Sequence, residues 1–157
     1  MCELTLATLE DTERLARLLA RSLLRHAPVR AVLLRGPMGG GKTTFACALA
    51  RALPGGEGAE TGSPSFTLCN RYPTRPEVLH GDLYRCQAFP PEEITEALQE
   101  ADVLTILEWA EFLPEAQLPE EFLDVVFSPR GCGRLLRLRA GGPRSGELLR
   151  ELRREWP

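Results

Sequence analysis

Lysine is almost absent from this sequence: Lys42 is the only one among 157 residues, and arginine supplies every other permanent cation of the side chains. A position that keeps lysine where arginine serves everywhere else suggests a need for a compact ammonium on a thin stem rather than a planar fork. Paired cysteines are absent too. Cys2, Cys47, Cys69, Cys86 and Cys132 stand far apart and form no C-x-x-C, and their odd number leaves one over from any full pairing. That argues against a disulfide frame or a zinc knot and for free thiols in a reducing compartment. No apolar run is long enough to span a bilayer. The opening MCELTLATLEDTERL carries acids where a secretory leader needs a basic start, so a cytoplasmic protein is expected. Excess positive charge is lacking as well. With a net charge of -3, the surface as a whole is not built to hold nucleic acid, and any RNA contact would fall to a local basic patch or a partner. The Arg-rich stretch from Arg130 to Arg154 is either such a patch or the solvated face of a terminal strand and helix, and the second reading fits charge patterning better.

What is present is ordinary globular material, 43% hydrophobic and 26% charged, of a length suited to a single domain over 1–157. A short first strand is expected at Leu4–Leu6. From Leu9 the spacing of Leu15, Leu18, Leu19 and Leu23 predicts an amphipathic helix with Thr8 as N-cap. Val29–Arg35 reads as a buried strand, followed by a glycine turn and a helix that stops at Pro54–Gly56. Gly55–Ser65 is expected to be a mobile loop. Further strands are expected at Phe66–Tyr72, Val78–Leu83 and Val103–Leu107. Helices are expected over Pro91–Glu100, from Glu108 to about Pro114, and over Ser145–Trp156. Leu123–Ser128 and Arg134–Arg139 form a strand pair. The order of elements predicts an α/β fold, a three-layer P-loop NTPase-like domain with a mixed sheet and an antiparallel C-terminal strand pair at one edge.

The segment Gly36-Pro-Met-Gly-Gly-Gly41-Lys42-Thr43 fits G-x-x-x-x-G-K-[ST] and lies between a buried-strand pattern and a helix pattern. Glycines allow a tight turn in which successive backbone N–H groups converge on phosphate oxygens. The helix that follows adds the positive end of its dipole. Lys42 is placed to reach the β- and γ-phosphates, and the Thr43 hydroxyl to take one Mg²⁺ position. The guanine-reading N-K-x-D motif is excluded, because the single lysine is already used. Adenine is therefore favoured.

Magnesium needs more oxygen than one hydroxyl, and water activation needs an acceptor. Glu108 follows the apolar run Val103–Leu107, and Asp82 follows Val78–Gly81. Each is a candidate acid at a strand end. His80 reads as a packed or surface side chain.

Four segments in order, Gly36–Phe45, Ser63-Pro-Ser-Phe-Thr-Leu68, His80-Gly-Asp-Leu-Tyr-Arg85 and Leu107-Glu-Trp-Ala110, resemble the TsaE (YjeE) family. This is the bacterial ATPase family needed for threonylcarbamoyladenosine next to the anticodon of tRNA. The resemblance implies ATP on Gly39, Gly40, Gly41, Lys42, Thr43 and Thr44, with Mg²⁺ held by Thr43 and Glu108. It implies Lys42 and Asp82 as the catalytic pair, Asp82 orienting water or a magnesium-bound water, and it places Thr12 on the adenine side. Ser63–Leu68 resembles a switch-like loop whose Ser63, Ser65 and Thr67 hydroxyls sense a γ-phosphate. Trp109 is either a nucleotide- or partner-facing aromatic or a core residue. The implied role is an ATPase with low activity alone that supports the TsaB and TsaD partners, touches tRNA only through that complex and has no membrane association. Two other readings stay open, a small-molecule kinase and a nucleotide-gated binding module. Ser65 stands where the family has Thr. Gly81 replaces a bulky apolar residue, so Asp82 is expected to be held less tightly.

Overall fold

A computed structural model describes residues 1–87 and 89–157. Its centre is β2 (Ala31–Arg35), buried along Ala31–Leu34 as expected of a strand covered on both faces. It pairs in parallel with β5 (Val103–Glu108) on one side and β6 (Phe122–Arg130) on the other. Beyond β5 lies parallel β4 (Glu77–Asp82), then antiparallel β3 (Cys69–Tyr72). Beyond β6 lies antiparallel β7 (Gly133–Ala140), then antiparallel β1 (Cys2–Leu6). The seven strands run in the order β1-β7-β6-β2-β5-β4-β3.

Helices cover both faces. On one, α1 (Leu9–Arg25), α2 (Lys42–Ala52) and α4 (Pro143–Glu155) bury Leu15, Leu19, Phe45, Leu49, Leu148 and Leu152 against Val32, Leu34, Val125 and Phe127. The Phe45 and Phe127 rings meet edge to face at 5.8 Å and tie α2 to β6. On the other, α3 (Glu92–Ala97) and the turn at Ala110–Phe112 cover Leu33, Leu79 and Leu107. The result is a three-layer α/β domain with a mixed sheet. Thr8 caps α1 as the sequence predicts. Its hydroxyl accepts from Asp11 N at 3.1 Å, and Asp11 returns the bond by accepting from Thr8 N at 3.0 Å. Among the described residues, no helix is long and apolar enough to cross a membrane.

Three expectations are corrected. Antiparallel pairing occurs at both edges of the sheet, and the late strand pair is inside the edge because β1 covers β7. The alternation of buried Cys2, Leu4 and Leu6 with exposed Glu3 and Thr5 suits such a half-covered edge. Phe66–Leu68 is a turn rather than strand: Leu68 sits at φ 67 and donates its N–H back to Pro64 O at 2.7 Å, which delays pairing until Cys69. The stretch after Glu108 makes single 3₁₀ turns at Ala110–Phe112 and Glu115–Gln117 instead of one helix, with Pro114 between them.

Candidate functional site

In-register pairing sets Leu34 beside Glu108 and Glu108 beside Asp82. The two acids and the exit of β2 therefore reach the same end of the parallel strands, where open α/β sheets form their crevices. Chain leaving β2 turns at Gly36 (φ 131) and enters α2 from Gly41 (φ 100), backbone conformations that favour glycine. A Cβ at Gly41 would also lie 2.7 Å from Arg134 Nε. As N-cap, Gly41 contributes no side-chain acceptor, and the first turn of α2 contains no acid. The leading N–H groups of α2 are thus left to an anion.

The loop forms one wall of an open pocket of about 410 Å³. Asp82, Tyr84, Arg85, Glu108 and Trp109 from the ends of β4 and β5 form another, and Ser65 and Arg134 complete it. Met38 also lies on the lining, 73% exposed.

Lys42 is only 4% exposed. Its Nζ donates to Gly36 O at 2.7 Å and Pro37 O at 2.8 Å and lies 4.1 Å from the centroid of the Trp109 ring. Burial pushes its pKa below the usual lysine value, and the charges of Glu108, Glu111 and Asp82 oppose that shift. Among the described residues Lys42 has no ion-pair partner within 4.0 Å, so its charge is held by carbonyl dipoles and a ring face.

Glu108, 3% exposed, accepts from Thr43 Oγ1 at 2.8 Å on one oxygen and lies 2.8 Å from His80 Nε2 on the other. Asp82 accepts from Tyr84 N at 2.9 Å and Ser65 Oγ at 3.3 Å. The looser hold expected from Gly81 is not what its surroundings show. A Cβ there would stand 2.8 Å from Leu107 and 2.9 Å from Ile94, so these side chains occupy the room of the missing one, and Asp82 is 6% exposed. The hard oxygens of Thr43 and Glu108, which meet at 2.8 Å, suit a small divalent cation. They fall short of a full cage, and among the described residues no cluster of three His, Cys, Asp or Glu could hold a metal. That donor set fits Mg²⁺, which keeps waters and borrows phosphate oxygens.

Gly39 to Thr44 all line the pocket, as does Ser65 of the switch-like segment. Ser63 Oγ lies 2.6 Å from Ser65 Oγ, whereas Thr67 donates to Asn70 Oδ1 at 2.9 Å. Trp109 turns at φ 56, half-buried, with its ring 4.7 Å from Tyr84, and so faces the pocket while backing on the core. Thr12 is not brought to the lining. It is buried in α1, its hydroxyl directed at Thr8 O at 3.4 Å.

Two further residues join the site: His80, read from the sequence as a packed or surface side chain and found packed, and Arg134, which the sequence reading did not single out. His80 is fully buried between Glu108 and the Tyr72 hydroxyl, 3.2 Å from its Nδ1. The polar residue two before Asp82 in a strand was the available signal, since it shares that acid's face. Arg134 donates from Nε to Gly40 O at 2.7 Å. No local pattern marks it among its neighbours. Arg137 pairs with exposed Glu3 at 2.7 Å and Arg144 with Glu147 at 3.3 Å, as expected of a solvated face, whereas Arg139 reaches the buried Asp124 at 3.3 Å.

The family model described as threonylcarbamoyl adenosine biosynthesis protein TsaE matches residues 6–134. A tRNA threonylcarbamoyladenosine biosynthesis protein TsaE from Aquifex aeolicus is 40% identical over 110 residues, covering 69% of this chain and 77% of that protein. One from Mycobacterium bovis is 34% identical over 132 residues, covering 77% and 75%. Among solved structures, Bacillus subtilis YdiB superposes with a TM-score of 0.74 at 28% identity, covering 98% of this chain and 94% of that one.

Proposed function

This chain belongs to the TsaE family, which serves tRNA threonylcarbamoyladenosine biosynthesis, and from that premise we propose that it binds Mg-ATP on the Gly36–Thr43 loop and hydrolyses it in support of the TsaB–TsaD pair. The observation that carries this reading is the meeting of the glycine loop, the lone lysine and the Thr43–Glu108 pair in one pocket. Backbone N–H groups from Gly39 to Thr44 hold the phosphates. Lys42 exchanges the carbonyls of Gly36 and Pro37 for β- and γ-phosphate oxygens. Thr43 and Glu108 would hold Mg²⁺, which would neutralise charge on the phosphate oxygens. Asp82 orients the attacking water, held for that task by Tyr84 N and Ser65. Adenine recognition by Thr12 has no geometric support here and rests on resemblance.

The exposed Met38, Phe66 and Tyr84 support a partner seated over the pocket. Met38 and Tyr84 are on its lining, and Phe66 stacks under Arg85, another lining residue, at 4.9 Å. A kinase lid is less well supported, because the late arginines lie on β6, β7 and α4 rather than in a separate segment.

Two measurements test the reading. Nucleotide titration with and without Mg²⁺ should show magnesium-enhanced affinity that Thr43→Ala and Glu108→Ala lose by about tenfold, while metal-free affinity stays close to wild type. An unchanged magnesium dependence in Glu108→Ala would move the metal role to Asp82. ATP turnover, low alone, should rise when TsaB and TsaD are added, and a screen should find no phosphorylated small molecule. A phosphorylated acceptor would favour the kinase.

A further inference from the structure

Behind the pocket a chain of hydrogen bonds runs from the loop preceding Ser63 to the first turn of α2. The Tyr72 hydroxyl lies 3.1 Å from Gly62 O and 3.3 Å from Gly62 N. It is also 3.2 Å from His80 Nδ1. His80 Nε2 lies 2.8 Å from Glu108 Oε1, and Glu108 Oε2 accepts from Thr43. We propose that His80 is a positioning residue: it fixes the Glu108 carboxylate for the divalent cation and ties it, through Tyr72, to the loop at Gly62. This rests on the Mg-ATP reading given above.

The bonding possibilities support the assignment. An ionised carboxylate only accepts, so the ring must present Nε2–H to Glu108. The Tyr72 hydroxyl has a single proton and two acceptors within reach, the ring nitrogen of the neutral tautomer and Gly62 O. The chain therefore has two settings that differ in whether Tyr72 is bonded to the loop carbonyl. The loop also meets the second acid by another route, since Ser65 donates to Asp82. Both strand-end acids are thus connected to one four-residue stretch, Gly62–Ser65. Both ring nitrogens are engaged at 0% exposure, and the partner of Nε2 is the acid that also accepts from Thr43 at the head of α2.

The test compares the two ends of the ring. His80→Gln puts an amide nitrogen near the place of Nε2 and keeps the donor to Glu108. His80→Asn reaches only as far as Nδ1 and leaves Glu108 Oε1 without a donor. Affinity for a fluorescent ATP analogue is measured in Mg²⁺ and in EDTA, with a melting curve for each variant. The expected result is that His80→Asn loses about tenfold or more of the magnesium enhancement and stays within about twofold of wild type in EDTA, while His80→Gln restores most of the loss. Equal enhancement in wild type and His80→Asn would overturn the inference and leave the Mg-ATP reading intact. Wild-type protein that binds nucleotide with no magnesium enhancement would overturn both.

A second measurement does not depend on folding of the His80 variants. Glu57 and Glu60 are exposed in the loop before Gly62, so cleavage there by a glutamate-specific protease reads the loop directly. Mg-ATP should slow cleavage in wild type and fail to do so in Tyr72→Phe, which keeps the His80–Glu108 bond. Equal protection in the two proteins would remove the tie to the loop.

Discussion

Two clusters of charge in this molecule are built on opposite rules. Between α1 and α4, Arg21 pairs with Glu155 at 2.8 Å, and Glu151 pairs with Arg25 at 2.6 Å and meets His26 at 3.0 Å. The arginine side chains there are 54–61% exposed. Each charge meets its opposite, and water screens what is left. In the pocket, Lys42 is buried among carbonyls and an aromatic ring. Glu108 and Asp82 are held by a hydroxyl, a ring nitrogen and a backbone N–H rather than by arginine or lysine. Buried charge fixed by dipoles keeps its field for a ligand, whereas charge fixed by a counter-ion does not. The difference separates a pocket whose charges are open to a ligand from a surface whose charges are matched among themselves.

The largest effect should come from the cation that has no counter-ion. Lys42→Arg should lose nearly as much ATP hydrolysis as Lys42→Ala, each falling by about 10²–10³ with partners present. A guanidinium keeps the charge, but it is too broad for a space bounded by Gly36 O, Pro37 O and the Trp109 ring. Near-normal turnover in the arginine variant would break the contrast.

Next comes Asp82→Asn, which keeps the shape and removes the acceptor charge. Single-turnover hydrolysis should slow by about 10²-fold while Mg-ATP affinity is almost unchanged. A parallel loss of affinity would make Asp82 a metal ligand or a structural cap. Arg134→Gln against Arg137→Gln sharpens the comparison within one strand. The first removes the bond to Gly40 O and should weaken nucleotide binding about tenfold, and the second, paired with exposed Glu3, should leave it unchanged.

The smallest effect belongs to the surface cluster. Burial works to raise the Glu151 carboxyl, but the His26 hydrogen bond and the Arg25 charge outweigh it and hold the group below the usual range. A carboxyl lowered in the fold contributes stability that is present above the unfolded value of about 4.3 and is lost as pH falls through the folded one. Acid titration of the melting temperature should therefore be shallower in Glu151→Gln than in wild type below about pH 4.3, with ATP turnover at neutral pH unaffected.

Much of the site was legible because its signals are local. The Gly36–Thr43 spacing, the lone Lys42, and acids ending the runs Val78–Gly81 and Val103–Leu107 identify their residues without any knowledge of the partners. Boundaries were less legible. Phe66–Leu68 was expected as the start of a strand, yet the turn back to Pro64 and the left-handed Leu68 delay the strand until Cys69. Thr12 shows the other limit, since a motif position carried over by resemblance says nothing about the direction of its side chain.

The sequence by itself determined most of the elements and the glycine turn at the head of α2. Periodicity, the Thr8 cap and the glycine turn act over a few residues, where backbone geometry and propensity settle the outcome. Only the tertiary structure decided which strands are neighbours, and with that which polar groups meet. β1, first in the chain, covers β7. Arg134 reaches Gly40 across 94 positions, and His80 reaches Glu108 across 28. Such contacts depend on long-range strand order and register, which no local pattern encodes. A buried acceptor such as Glu108 Oε1 takes the donor that the register places beside it, since leaving it bare in the interior would cost about 1–3 kcal/mol.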